Sequence, residues 1–226
     1  MLNDQIQKQE AGDGSTNLQG QSIIVNQGIS YSDAKEIALD VFKANSLELS
    51  QEAAVIAATR SEKLSNDFLQ KLNEQHQEAI KSLNQPAMQM ALFDAQKAYV
   101  NTGDENLESL LVDILVERAT EENRTIKQIT LDESLKVAPK LTSEQFDVLT
   151  INFLMSKTTN NDVLSLDTLK EYLEKYIIPF IANITADSSC YEHLAYAGCG
   201  SFMEASTLKP LEELFKETYT KCCVQQ

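Results

Sequence analysis

The side chains in this chain best suited to chemistry are four cysteines and two histidines. Cys190, His193 and Cys199, joined by Cys222 or Cys223, are of the right types to hold a tetrahedral zinc, since thiolate and neutral imidazole both bind that ion. Only Cys190-x-x-His193 has a knuckle-like spacing. The paired Cys-x-x-Cys and His-x3-His elements of structural zinc sites are missing. Cys190, His193, Cys199 and Cys222 therefore stand as a candidate metal set beside a plainer reading, small buried thiols next to a capping histidine. The same residues offer a nucleophile: Cys199 activated by His193, with Gly198 and Gly200 letting a backbone approach closely.

Other positions carry less. Gly12-Asp13-Gly14-Ser15-Thr16 has the glycines of a phosphate cradle, but no strand precedes it and no lysine follows, so it reads as a turn. His76 lies among Gln and Glu on an expected helix and is expected to be solvated. Glu121-Glu122 and Glu212-Glu213 sit in charge-rich helical stretches, where a solvated face is the default for carboxylates. No Ser/His/Asp order, Walker motif, HExxH or EF-hand loop is present. The balance is against an enzyme, and no cofactor is expected beyond the candidate zinc.

The elements that must position these residues are helical. Pro and Gly number only 4 and 7 among 226 residues, too few for the tight turns of an all-β sandwich. The abundant Ala, Leu, Glu, Gln and Lys are good helix formers. A formal charge of −15, from 19 Lys+Arg against 34 Asp+Glu, opposes nucleic acid, which needs a cationic face, and opposes docking on anionic lipid. No stretch approaches the roughly 20 apolar residues of a membrane span. The polar N-terminus lacks the apolar core of a secretory signal, so a reducing cytoplasm is the expected location and the cysteines are expected as thiols.

The expected fold class is mainly α, a helical body with a short N-terminal β segment. Residues 1–29 are rich in Gly, Asn and Gln and hold one β-type run, Ser22 to Asn26. A lone strand cannot satisfy its own backbone, so Ile23, Ile24 and Val25 are expected to pair within the chain or between copies of it. A helical region follows over 30–100. It opens at the capping pair Ser30-x-x-Asp33 and includes one long helix from Ser50 to Leu83, with the length of a hairpin arm. Pro86 opens the next helix and Asn101-Thr102-Gly103 breaks it. The second region, 104–226, begins with a helix bearing Leu107, Leu111, Leu115 and Arg118. Thr130-x-x-Glu133 and Thr142-x-x-Gln145 read as capping boxes, with Ala138-Pro139 ending the helix between them. Phe146, Leu149 and Phe153 are expected to face a core, as are Leu166, Leu169, Leu173 and Tyr176. Cys190 to Ser201 reads as a loop, and Pro210 opens a last helix.

Several segments together resemble an uncharacterised bacterial family that carries locus-tag names only. They are Gln9 to Gln19 (QEAGDGSTNLQ), Gly28 to Ala38 (GISYSDAKEIA), Glu117-Arg118, Arg124 to Ile129, Pro139 to Thr142, and Tyr191-x-His193-Leu194-x-Tyr196-x-Gly198-Cys199. The resemblance spans nearly the whole chain and implies no activity. Its polar opening is similar to tags that precede helical bacterial modules, some suspected of phage defence or self-assembly, and to the Gly/Asn/Gln motifs of amyloid-type signalling. Ile23-Ile24-Val25 is short for a steric zipper.

The leading functional expectation is a non-enzymatic protein that forms a homo-oligomer and recognises an unidentified partner protein as an adaptor. The alternatives are an enzyme or toxin using the Cys190–Cys199 segment, and a membrane-perturbing effector.

Overall fold

The structure, a computed structural model, describes residues 28–45, 51–201 and 209–219. The expected strand with Ile23, Ile24 and Val25, the Gly12–Thr16 turn, Cys222 and Cys223 lie outside these. The described residues are mainly α-helical, with no strand among them, and none of their helices is long and apolar enough to cross a membrane.

Five helices build the larger core: α1 (Tyr31–Asn45), α2 (Gln51–Gln75), α3 (Pro86–Thr102), α4 (Glu105–Thr120) and α5 (Ile126–Val137). Leu64, Phe68, Leu69 and Leu72 of α2 meet Met88, Leu92 and Tyr99 of α3 and Leu111 and Leu115 of α4, all fully or almost fully buried. Each buried leucine contributes roughly 1.5–3 kcal/mol. Ser30 and Asp33 form the expected reciprocal cap of α1, with Ser30 N donating to Asp33 Oδ2 at 3.0 Å and Asp33 N to Ser30 Oγ at 3.2 Å.

The long helix expected to end at Leu83 stops at Gln75. His76, half-buried rather than solvated, leaves the helical region at φ −145°, ψ 59°, and the chain continues as a 3-10 segment, Gln77–Asn84. The break turns Ala79, Ile80 and Leu83 into the core instead of letting α2 project as an arm. Pro86 occupies the first turn of α3 as its missing N–H allows. α5 begins at Ile126, capped by Thr125 Oγ1 accepting from Gln128 N at 3.0 Å. Thr130 is therefore mid-helix, its hydroxyl donating back to Ile126 O, and not the cap its spacing suggested.

The C-terminal half adds α6 (Ser143–Lys157), α7 (Leu166–Tyr176), the short α8 (Ile178–Ile181), α9 (Ser188–Tyr196) and α10 (Leu211–Thr218). Its own core is small: Val163, Tyr172, Ile177 and Tyr219, flanked by Leu154, Met155, Leu169, Leu173 and Phe215. Three expected core positions point outward: Phe153 is 57% exposed, Leu166 53% and Tyr176 42%. On α7 the buried face is centred on Tyr172, because Tyr219 supplies its partner ring at 6.1 Å.

Gly103 ends α3 in the left-handed region at φ 66°, its N–H donating to Tyr99 O at 2.8 Å. A Cβ there would run into Arg60 Nη2, and the Arg60 guanidinium is held in place by donating from Nη1 to Val100 O at 2.7 Å. Gly103→Ala is expected to destabilise the protein by about 1–2 kcal/mol, combining left-handed strain with the lost Arg60 cap. A denaturation midpoint measures it, and in the Arg60→Ala background the cost should shrink to the strain alone.

Candidate functional site

The carboxyl-terminal candidate residues gather where α6 meets α9. Thr142 and Gln145 form the expected capping box, with Thr142 N donating to Gln145 Oε1 at 3.1 Å and Gln145 N to Thr142 Oγ1 at 3.4 Å. Gln145 is buried, and its amide also reaches α9: Nε2 donates to Cys190 O at 2.9 Å and lies 2.9 Å from His193 Nδ1. The stretch read as a loop from Cys190 is thus largely the helix α9. Asp187 starts it, its carboxylate accepting from Ser189 N at 3.0 Å, and that backbone bond lowers the Asp187 pKa. Cys199 follows the helix, its N–H donating to Leu194 O at 2.9 Å in a turn closed by Gly198 at φ 81°.

Cys190 and His193 share one face of α9, but the His193 ring nitrogen toward the protein is engaged by Gln145. Among the described residues no three His, Cys, Asp or Glu side chains come together to hold a metal, and Cys222 lies outside them. Burial pushes the Cys199 thiol up, against a smaller lowering by the charge of Lys140, which is the reverse of what activates a nucleophile.

Chemistry is sparse here, but an apolar groove is not. Val148, Leu149, Ile151 and Met155 of α6 face Ile184, Leu194 and Ala195 across a groove of about 600 Å³, with Cys199 and Gly200 at one end. Ile184 is held at its edge by two bonds: Asn183 Nδ2 donates to Asp147 Oδ2 at 2.7 Å, and Tyr191 Oη donates to Thr185 O at 2.7 Å. A second groove of about 390 Å³ lies between α4, α5 and α6, lined by Leu110, Ile114, Val137 and Phe146. It shares Leu149 and Cys199 with the first.

A charged cluster sits on the larger core. Lys63 on α2 reaches Glu105 at 2.9 Å, Asp67 at 3.1 Å and Glu108 at 3.1 Å, while Tyr99 Oη donates to Glu105 at 2.6 Å. Burial alone would lower the Lys63 pKa, but its three carboxylate partners outweigh that and raise it. Burial raises the Glu108 pKa, Lys63 opposes, and Asp67 pushes it further up; Glu108 Oε1 is buried with no hydrogen-bond partner. Sequence reading missed this cluster, although Lys63 and Asp67 stand at helical i,i+4 spacing. The acidic pair that sequence singled out, Glu121-Glu122, is bound up at the surface by Thr125 and Lys127 and by Lys81.

A model of a family described only by a "-like" label, with no activity in the description, matches residues 28–226. No curated protein and no solved structure matches the chain.

Two outcomes follow from the geometry. Gln145→Ala removes a buried amide that ties α6 to α9 and should cost about 1–3 kcal/mol in a denaturation midpoint, with amide exchange rising first in α9. For Glu108 the folded pKa lies above the ordinary 4.5, so its contribution to stability is full below that value and is lost as pH rises through the folded pKa. Glu108→Gln, which loses the charge and keeps an acceptor for Lys63, should therefore raise the melting temperature relative to the parent, and more at about pH 8 than at about pH 5. A lower melting temperature at both would mean that Glu108 acts as a plain ion-pair partner of Lys63.

Proposed function

The chain belongs to that uncharacterised family, and from this premise we propose that it is a non-enzymatic interaction protein, an adaptor that gathers into a homo-oligomer and recognises a partner protein through the groove between α6 and α9. The groove carries the reading. Its walls are aliphatic side chains left open to water, and such surface is stabilised by being covered. Its one thiol has a raised pKa, and no acid–base pair accompanies it among the described residues. Assembly through Ile23, Ile24 and Val25 rests on the sequence, as does the link to phage defence, which the family resemblance implies. The enzymatic reading of Cys199 with His193 has less support, because burial pushes the Cys199 thiol up, away from a thiolate.

Light scattering of the full chain beside one starting at Ser30 tests assembly: the full chain should have the higher mass, and a full chain that stays monomeric at roughly tens of micromolar overturns this part. For recognition, a photo-crosslinking residue at position 184 in the producing cell should give an adduct of one discrete mass, and the same residue at position 170 on α7 none. No adduct at 184 overturns the partner reading.

A further inference from the structure

The two grooves, one between α6 and α9 and the other between α4, α5 and α6, share Leu149 and Cys199 in their linings. We infer that they are the two ends of one trough, a helix-in-groove site whose occupant is an amphipathic helical segment of the partner, with an apolar stripe flanked by lysine or arginine. The inference rests on the reading above and adds the chemistry of the partner.

Backbone accounting selects a helix. A segment lying on aliphatic side chains loses water from its own N–H and C=O groups, and each must find a partner. An extended segment would take them from a sheet edge, and the described residues offer no strand to extend. α4, α5, α6 and α9 use their backbone groups within themselves, and the non-helical lining residues, Ile184 and Cys199 to Ser201, form no strand. A helix arrives with its backbone satisfied and presents anchors at i, i+3 or i+4, and i+7, a row suited to a trough with apolar floor on both sides of Leu149.

Charge selects the flanks. Asp147 stands beside Val148 at the groove wall and is bonded to Asn183 next to Ile184. Asp187 lies at the start of α9, and Glu144 in the first turn of α6. Glu133, which lines the second groove, is balanced by Lys136 at 3.0 Å. Lys140 is the cation whose charge is felt at Cys199. Glu144, Asp147 and Asp187 thus place three carboxylates on or at the start of the helices that line the first groove, in a chain whose formal charge is −15. A cationic flank is attracted to such carboxylates and an anionic one repelled.

Cys199 at the junction reports occupancy. In the full chain carrying Cys190→Ser, Cys222→Ser and Cys223→Ser, the rate of Cys199 alkylation by a maleimide is measured with three synthetic peptides about 18 residues long. One is a Leu/Lys amphipathic helix, one its Leu/Glu counterpart, and one a scrambled Leu/Lys sequence without a stripe. Saturating Leu/Lys helix should slow alkylation about tenfold, corresponding to a site about nine-tenths occupied, and the effect should persist at about 0.3 M salt. The other two peptides should leave the rate unchanged. Ile184→Asp, at a position 40% exposed and tolerant of a polar side chain, should abolish the protection without shifting the melting temperature. Equal protection by the scrambled peptide, or none by the Leu/Lys helix, overturns the inference. So does protection by a fatty acid but by no peptide. A discrete adduct from position 184 together with failure of the Leu/Lys helix would leave the interaction reading standing and remove only this partner chemistry.

Discussion

A single buried amide fixes how the first three helices sit on one another. Gln96 on α3 is fully buried, and its Nε2 donates to Ala38 O on α1 at 2.8 Å and to Ser65 Oγ on α2 at 3.0 Å. Apolar contact alone is tolerant of sliding, since one leucine replaces another at small cost. A buried polar group is not, because leaving it unpaired costs about 1–3 kcal/mol. Any shift of α1 or α2 by one residue would strand this amide. Ser65 takes part by donating its own hydroxyl to Ser61 O at 2.7 Å, so the link runs along α2 as well as across it. The placement of α4, and through it α5, then follows from the leucine faces that remain.

Charge plays a similar part at the other end of the same core. Arg118 on α4 is wholly buried, and its Nε donates to Asp132 Oδ1 on α5 at 2.5 Å, while Nη1 and Nη2 have no hydrogen-bond partner. Such a pair is a poor source of net stability, because desolvating both ions offsets their attraction. Its value lies in specifying one neighbour: only an α5 that brings Asp132 to that point leaves the guanidinium paired. The Lys63 cluster does the same work for α2 against α4 in a more exposed setting, where solvent weakens each contact.

Sequence made the caps and breaks of this fold legible, and much less of its faces. Ser30–Asp33, Thr142–Gln145, Pro86, Gly103 and Ala138–Pro139 all act as their local chemistry dictates, because a cap or a blocked N–H involves only residues a few positions apart. The bend at His76 carried no proline or glycine to mark it; it exists because the 3-10 turns after it bury Ala79, Ile80 and Leu83. Thr130-x-x-Glu133 matched a capping pattern within a helix already begun by Thr125, since the pattern does not say where a helix starts. On α7 only Leu169 and Leu173 of the stripe Leu166, Leu169, Leu173 and Tyr176 pack on the core, because the buried face is centred on Tyr172, whose partner ring Tyr219 is some fifty positions away in sequence. The candidate site shows the same division. Asp187 caps α9 through Ser189 N, a local signal that the reading of Cys190 to Ser201 as a loop passed over. That Gln145 would span to Cys190 and His193 is a tertiary fact, and it makes His193 Nδ1 part of a tie between α6 and α9.

The two cores differ in how much apolar surface they hide, and that difference bears on where a partner can act. Around the larger core, Leu, Phe and Met side chains on α2, α3 and α4 are removed from water almost completely. In the C-terminal half four buried residues form the centre, while Phe153, Leu166, Ile178 and Ile181 keep about half their surface exposed. A small core leaves its helices short of partners for their outer aliphatic positions, so α6 to α9 present those positions to whatever approaches. Gln145, Asn183–Asp147 and the Tyr191 hydroxyl hold the groove open by polar bonds at its margins, where apolar packing would have closed it. The polar margins and the apolar floor are thus one arrangement: the first keeps the second available.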